Sequence, residues 1–311
     1  MIRTAILLIF LLCKVSWLHA DGLPGREREE SLDRLWNPGA DTRADVTESI
    51  PEYSSVIDWS TAKVRTEVEL PADSVIPNIG KYMNNYSTEV REELRQDLIK
   101  AMGYVRVSDI FLLKDYYSMK NELRYEIISY SDRAFYFPPI ESRGRFRGVV
   151  ELALFGKNGL ANLFYRDIDK SPLTNYVQQS AKNAEYYDSL LVDTVVHENF
   201  QPSFEMRIWD QDGVLLYGPE TVRSDALMEK GICEYTASLS QALSSKRAGK
   251  RMFYIVPYSL KGKMQTDLVF HNRDAARIFA NPITLDYLNQ SRVIVVVPPK
   301  EKTGKKDDAS R

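Results

Sequence analysis

The chain has 311 residues, with 41 lysines and arginines against 43 aspartates and glutamates and a net charge of −2. That balance argues against a nucleic-acid partner, which needs a basic surface. The length is enough for one large hydrophobic core or two modest ones.

Residues 1–20 read as a secretory signal. Arg3 supplies a positive charge, Ala5 to Leu12 an apolar run, and Ala20 a small residue ahead of the polar Asp21. The run is too short to span a bilayer, which takes roughly 20 apolar residues. Cleavage between Ala20 and Asp21 removes Arg3 and Lys14 and brings the net charge to −4. The expected destination is the periplasm or the exterior. Two alternatives are an uncleaved signal acting as an anchor and lipid attachment at Cys13, against which stand the bulky Leu12 before it and Lys14 after it. No later apolar run exceeds strand length, the longest being Val293 to Val297, so no membrane span is expected after signal removal. Cys233 then stands as the one cysteine, and no internal disulfide is expected.

Residues 21–50 are charged and broken by proline and glycine, which predicts a flexible leader. Residues 51–175 form an expected N-terminal module. Alternation over Ala62 to Leu70 predicts a strand with Val64, Thr66, Val68 and Leu70 on one face and Lys63, Arg65, Glu67 and Glu69 on the other. A helix is expected from Ser87 as N-cap, with Val90, Leu94, Leu98, Ile99 and Met102 in one stripe. Shorter helices follow at 109–116 and 119–131. A long strand over 143–155 places Arg143, Arg145 and Arg147 opposite its apolar face and ends in the turn Gly156 to Gly159.

Residues 185–298 form the expected C-terminal module. Strands are predicted at 189–196, 203–209, 214–217, 252–258, 266–270 and 292–297. Met228, Ile232, Tyr235, Leu239 and Leu243 recur at helical spacing and predict one helix over 225–244. Further helices are expected from Asn272, as cap, to Ala280 and over 284–290. Residues 299–311 read as a disordered polar tail. The expected class is α+β: two modules, each a small mixed or antiparallel sheet packed with helices.

The stretch Arg207 to Gly218 (RIWDQDGVLLYG) could open a calcium loop or form a hairpin turn. With Asp210 and Asp212 at the first and third ligand positions, Gly213 comes two places early and the twelfth position holds Thr221, not a glutamate. Asp-Gly between apolar strands points to a hairpin, with Asp210, Asp212, Gly213 and Gly218 as turn residues.

This motif (Arg207-Ile208, Asp210, Asp212-Gly213, Tyr217-Gly218) resembles the FlgT-type module. That module occurs in the periplasmic ring protein of sheathed polar flagella, in small outer-membrane lipoproteins and in exported spirochaete-type proteins. The likeness continues at Thr266 to Ile278 and the strand Arg292 to Val297, covering about residues 185–298, with a fainter echo at Ile57-Asp58-Trp59 and Leu154 to Ala161. It departs after the first strand, where Val195 to Asn199 replaces a glycine-rich loop. The resemblance implies an envelope or assembly protein without known catalysis.

Catalytic patterns find little support. His197-Glu198 lacks the second histidine of a zinc helix, since Gln201 stands there, and His271 is remote in sequence. Cys233 reads as a core thiol on an apolar helix face. Lys157 sits outside any phosphate-loop pattern, and no nucleophile-elbow serine motif occurs. Glu67/Glu69 and Asp167/Asp169 would be the carboxylate pairs of a hydrolase, yet they read as a wet strand face and a loop. Arg143, Arg145 and Arg147, with the aromatics of Arg133 to Pro139, form a possible docking ridge.

The expected function is thus a non-enzymatic exported envelope protein. It would act through contact with an envelope partner or with itself, in a periplasmic or motility-related assembly, and without a cofactor or metal. A lipid-anchored outer-membrane lipoprotein and an envelope hydrolase acting on glycan or peptide are the alternatives.

Overall fold

Period-two alternation in the first half of the chain builds one antiparallel sheet. The computed structural model describes residues 45–71, 79–119, 121–138, 140–142, 145–171 and 185–299. Ala20, Asp21, Cys13, Arg143 and the tail from residue 300 lie outside them. The strands are β1 (Thr47–Ile50), β2 (Ser55–Asp58), β3 (Lys63–Pro71), β4 (Phe135–Tyr136), β5 (Ile140–Ser142) and β6 (Arg145–Ala153), in the order β1-β2-β3-β6-β4 with β5 also on β6. The helices of this half are α1 (Ile79–Met102), α2 (Leu113–Met119) and α3 (Asn121–Tyr130).

Val64, Thr66 and Val68 of β3 and Val150 and Leu152 of β6 are buried, as are Val90, Leu94, Leu98 and Met102 of α1. Gly148 allows the helix to sit this close: a Cβ there would stand 2.4 Å from Val90 Cγ1. Inside the sheet the Ser55 and Thr66 hydroxyls bond each other at 2.8 Å, so burial leaves neither unpaired.

Three sequence expectations are corrected here. Thr47–Ile50, assigned to the leader, is the edge strand of the sheet, with Val46 and Ile50 buried. Helix α1 starts at Ile79, so Ser87 lies within it and not at its N-cap position. The two following helices begin later than expected, because the chain before α2 turns back on itself, with Arg106 bridged to Leu112 and Val105 and Val107 buried.

The second half contains α4 (Asn162–Tyr165), β7 (Ser189–Asp193), β8 (Ile208–Asp210), β9 (Leu215–Tyr217), α5 (Ser224–Lys230), β10 (Glu234–Thr236) and α6 (Leu239–Ser244). It continues with β11 (Met252–Ile255), β12 (Ser259–Lys261), β13 (Asp267–Phe270), α7 (Asn272–Phe279), α8 (Pro282–Asn289) and β14 (Val293–Val296). The α+β class holds, but this half has two sheets where one was expected. The sheet β10-β14-β7-β11 is parallel throughout, and β12-β13-β8-β9 is mixed. β7 and β14 are buried along their whole length, the pattern of a parallel sheet covered on both faces.

The single helix expected over 225–244 is instead helix, strand and helix. Helix α5 stops at Gly231, whose φ of +77° suits glycine, and Phe155 fills the space a side chain would need. Tyr235 then enters β10 against β14, and Ser238 caps α6 by accepting from Gln241 N. Ile232, Tyr235 and Leu239 are buried by this path, whereas Met228 and Leu243 are partly exposed. Asn272 is also not a cap. His271 takes the N-cap position of α7 without a side-chain bond, while Asn281 caps α8.

The two halves share one core. Trp59, at the end of β2, packs edge-on to Phe204 and Tyr235 at centroid distances of 6.0 and 5.7 Å. Phe204 N donates to Arg106 O at 3.1 Å and Glu205 N to Val107 O at 2.8 Å. The Tyr165 hydroxyl donates to Phe204 O. Contiguous buried side chains run from Val46 to Val297.

Candidate functional site

The outer face of the antiparallel sheet gathers the charged residues that alternation directs away from the core. Lys63, Arg65 and Glu69 of β3 and Arg145 and Arg147 of β6 are exposed, and Glu67 and Glu151 are half-buried among them. Arg145 stands 3.1 Å from Glu69, Arg147 pairs with Glu67, and Lys63 meets Glu151 at 2.7 Å. Arg65 reaches Glu67 at 2.8 Å and Glu151 at 3.6 Å. Arg145 and Arg147 of the arginine ridge expected from the sequence are therefore ion-paired, within a lattice of four cations and three carboxylates. Such exposed pairs contribute little stability, roughly 0–1 kcal/mol each.

Burial works against ionisation of Glu67, but the hydrogen bonds and charges of Arg147 and Arg65 outweigh it and hold its carboxyl below the ordinary value. The same contact, through its hydrogen bond and charge, raises the Arg147 guanidinium. Glu67 is thus an anion at neutral pH and no proton donor. The pair Glu67/Glu69 is engaged by arginines; Asp167 and Asp169 are exposed, and Asp167 is 3.1 Å from Arg166.

Two relief features flank the lattice. On the β2 side lies a groove of about 560 Å³ lined by Thr47, Ser54, Val56, Asp58, Thr61 and the charged residues beside them. On the β4 side Phe135 and Phe137 project, 63% and 40% exposed and edge-on to each other at 4.8 Å. The aromatic segment Arg133 to Pro139 is thus split: Tyr136 is half-buried, and its two phenylalanine neighbours face solvent.

The motif at Arg207 to Gly218 is a hairpin in which each motif residue has a structural task. Asp210 Oδ1 accepts from the amides of Asp212 and Val214, closing the turn, and Gly213 takes φ +82°. Asp212 accepts from the Asn272 side chain at 2.8 Å, tying the turn to α7. The Tyr217 hydroxyl donates to Ile232 O, and Arg207 pairs with Glu220 at 2.6 Å. A Cβ on Gly218 would stand 2.7 Å from Glu220 Oε2 and 3.0 Å from Arg207 Cγ, so glycine leaves room for that pair. Replacing Gly213 by valine is expected to cost about 1 kcal/mol or more, from the positive φ alone. Denaturant unfolding checks this, and unchanged stability would contradict it.

His197 and His271 both contact the loop at Pro257 and Tyr258: His197 Nε2 lies 2.8 Å from Pro257 O, and the His271 ring centroid is 4.3 Å from that of Tyr258 at a tilt of 51°. Glu198 is exposed. Cys233 is buried as expected of a core thiol, although it precedes β10 and does not lie on a helix. Burial pushes its pKa up to about 12. Open parallel sheets bind ligands beyond the carboxyl ends of their strands. Here that edge is occupied by internal bonds: Asp193 accepts from Val195 N and from the Tyr254 hydroxyl, and Thr194 donates to Val296 O. No group of three or more metal-ligating side chains occurs among the described residues, and none of their helices is long and apolar enough to cross a membrane.

Sequence reasoning missed a buried charge at the junction of the two halves. Arg106 pairs with Glu48, donates to Pro202 O at 2.8 Å and lies over the Trp59 ring. Burial lowers its pKa to about 10, still well above neutral.

No curated protein matches the chain. Residues 189–300, from β7 past β14, match the family model for the second domain of Treponema pallidum Tp0624; this span holds both C-terminal sheets and leaves the antiparallel sheet outside.

Proposed function

We propose that the protein is a non-enzymatic, exported component of the cell envelope that acts through protein–protein contact at the outer face of its antiparallel sheet. The observation that carries this reading is the lattice of paired charges on an exposed sheet face, flanked by a groove and by two exposed phenylalanines. Aromatic anchors beside a polar rim are the composition of a contact surface. The resemblance of Arg207 to Gly218 and of 266–297 to the FlgT-type module favours an assembly role, in the periplasm or in a motility-related complex. The match to a spirochaete domain is compatible with that setting. Cys13 carries a second reading, lipid anchoring, for which incorporation of a labelled fatty acid is the test.

The protein-contact reading is tested by co-purification from envelope fractions with the wild-type chain and with a variant carrying Arg143→Gln, Arg145→Gln and Arg147→Gln. Surface substitutions usually stay within about 0.5 kcal/mol each and Arg145 and Arg147 are exposed, so the variant is expected to fold and reach the envelope. It should lose its co-purifying protein, with the widest gap from wild type at low salt. Equal recovery at low and moderate salt would overturn the assignment of this face.

A further inference from the structure

The charges of the outer face are arranged in quadrants. Along β3 the outward residues run Lys63, Arg65, Glu67, Glu69; opposite them on β6 stand Ala153, Glu151, Val149 and Arg147. One end of the face is positive on β3 and negative on β6. At the other end the signs are exchanged, with Arg145 adding to the positive side of β6. Consider a half-turn about an axis that lies in the face, parallel to the strands and midway between β3 and β6. It brings each β3 residue of one copy over the β6 residue at the same height of another. Arg65 then meets Glu151 of the second copy, and Glu69 meets its Arg147, so every quadrant faces one of opposite sign. Self-complementarity of this kind is the requirement for a closed two-fold interface. Each exposed ion pair gains a second counter-charge without losing its first.

The same half-turn exchanges β2 with β4. Hydrogen-bonded register places Val56, Arg65, Glu151 and Phe135 in one row across four strands. Phe135 of one copy therefore lands on Val56 of the other, in the middle of the 560 Å³ groove. The neighbouring row sets Phe137, beside Val149, over Ser54, which also lines that groove. The projecting ring pair and the groove sit on opposite flanks of one face at matching heights, related by the axis that the charges select independently. We propose that the protein forms a two-fold dimer through this face, with the Phe135–Phe137 pair of each copy seated in the β2 groove of the other. The two sheets would pack about 10 Å apart with strands crossing at about 30°. Four inter-strand steps and the nine residues of β3 make a face of about 19 by 30 Å. That is at the small end for specific interfaces, so a dimer of modest affinity is expected.

The inference rests on reading the face as a contact surface and names the partner as a second copy of the chain. Sedimentation from about 1 to 100 µM, a range that brackets a modest interface, is expected to show a monomer–dimer equilibrium for the wild-type chain. Phe135→Asp, at an exposed position, should keep the thermal transition and shift the protein to monomer. In a Cys13→Ser background, mild oxidation of a mixture of Phe135→Cys and Val56→Cys chains should give a disulfide-linked pair. A mixture of Phe135→Cys with Leu243→Cys, exposed and on α6, should not. A wild-type monomer across the whole range overturns the dimer, as does a dimer that survives Phe135→Asp or a mixture that fails to cross-link at 56 and 135. Should the wild type remain monomeric while the arginine-to-glutamine variant still loses an envelope protein, the dimer fails and the contact reading stands.

Discussion

Replacing Arg106 by alanine is expected to destabilise the protein by about 3–5 kcal/mol, the cost of breaking a buried ion pair from one side. The Arg106 and Glu48 side chains are each only 12% exposed. Removal of the guanidinium takes a buried positive partner away from the Glu48 carboxylate, which also accepts from the Trp59 indole at 2.9 Å, and leaves Pro202 O without its side-chain donor. Replacing both members together, Arg106→Met with Glu48→Leu, should cost much less than the single change, because the large penalty belongs to an uncompensated charge and not to the absence of the pair. Denaturant unfolding of the two variants measures both. A single-variant loss below about 1 kcal/mol would show that the carboxylate finds water or another partner on relaxation.

Trp59→Ala is expected to cost a similar amount, about 3–5 kcal/mol, through lost burial and the cavity that remains. Trp59 is 2% exposed, and its ring contacts Phe204 and Tyr235, which belong to the second half of the chain. The more informative expectation is that both halves weaken together. Hydrogen exchange in the central strands β3 and β7 should accelerate by comparable factors, as one cooperative unit requires. Acceleration confined to the antiparallel sheet would mean that the shared core does not couple the halves.

Side-chain period carried much of this fold into the sequence. The outward charges of β3 and β6 and the buried runs of β7 and β14 follow from alternation or continuous apolarity alone. β1 was hidden because TESI buries a single side chain, Ile50, and otherwise looks like the polar leader before it. Residues 225–244 misled for a different reason. A loop, a strand and a short helix in succession bury Ile232, Tyr235 and Leu239 at the spacings a helix would use, and pairing with β14 decided the outcome. The candidate face was half legible. That Arg145 and Arg147 point outward can be read from alternation, but their glutamates lie on β3, 76 and 80 residues earlier, and register over such a distance comes only from the folded sheet.

The strand order β10-β14-β7-β11 also has a kinetic consequence. The first strand of the second half, β7, pairs with the last, β14, so that Leu190 stands beside Val293 about a hundred residues later. Closing so long a loop comes before any gain from the pairing, and parallel sheets built this way assemble slowly. Until synthesis has passed residue 296, Leu190, Leu191 and Val192 have only β11 as a neighbour in the sheet. The apolar edge of β7, five residues long, then stays open in the unfinished chain. Such an edge can pair with other chains, which favours a carrier or chaperone that shields the polypeptide until its C-terminal strand arrives.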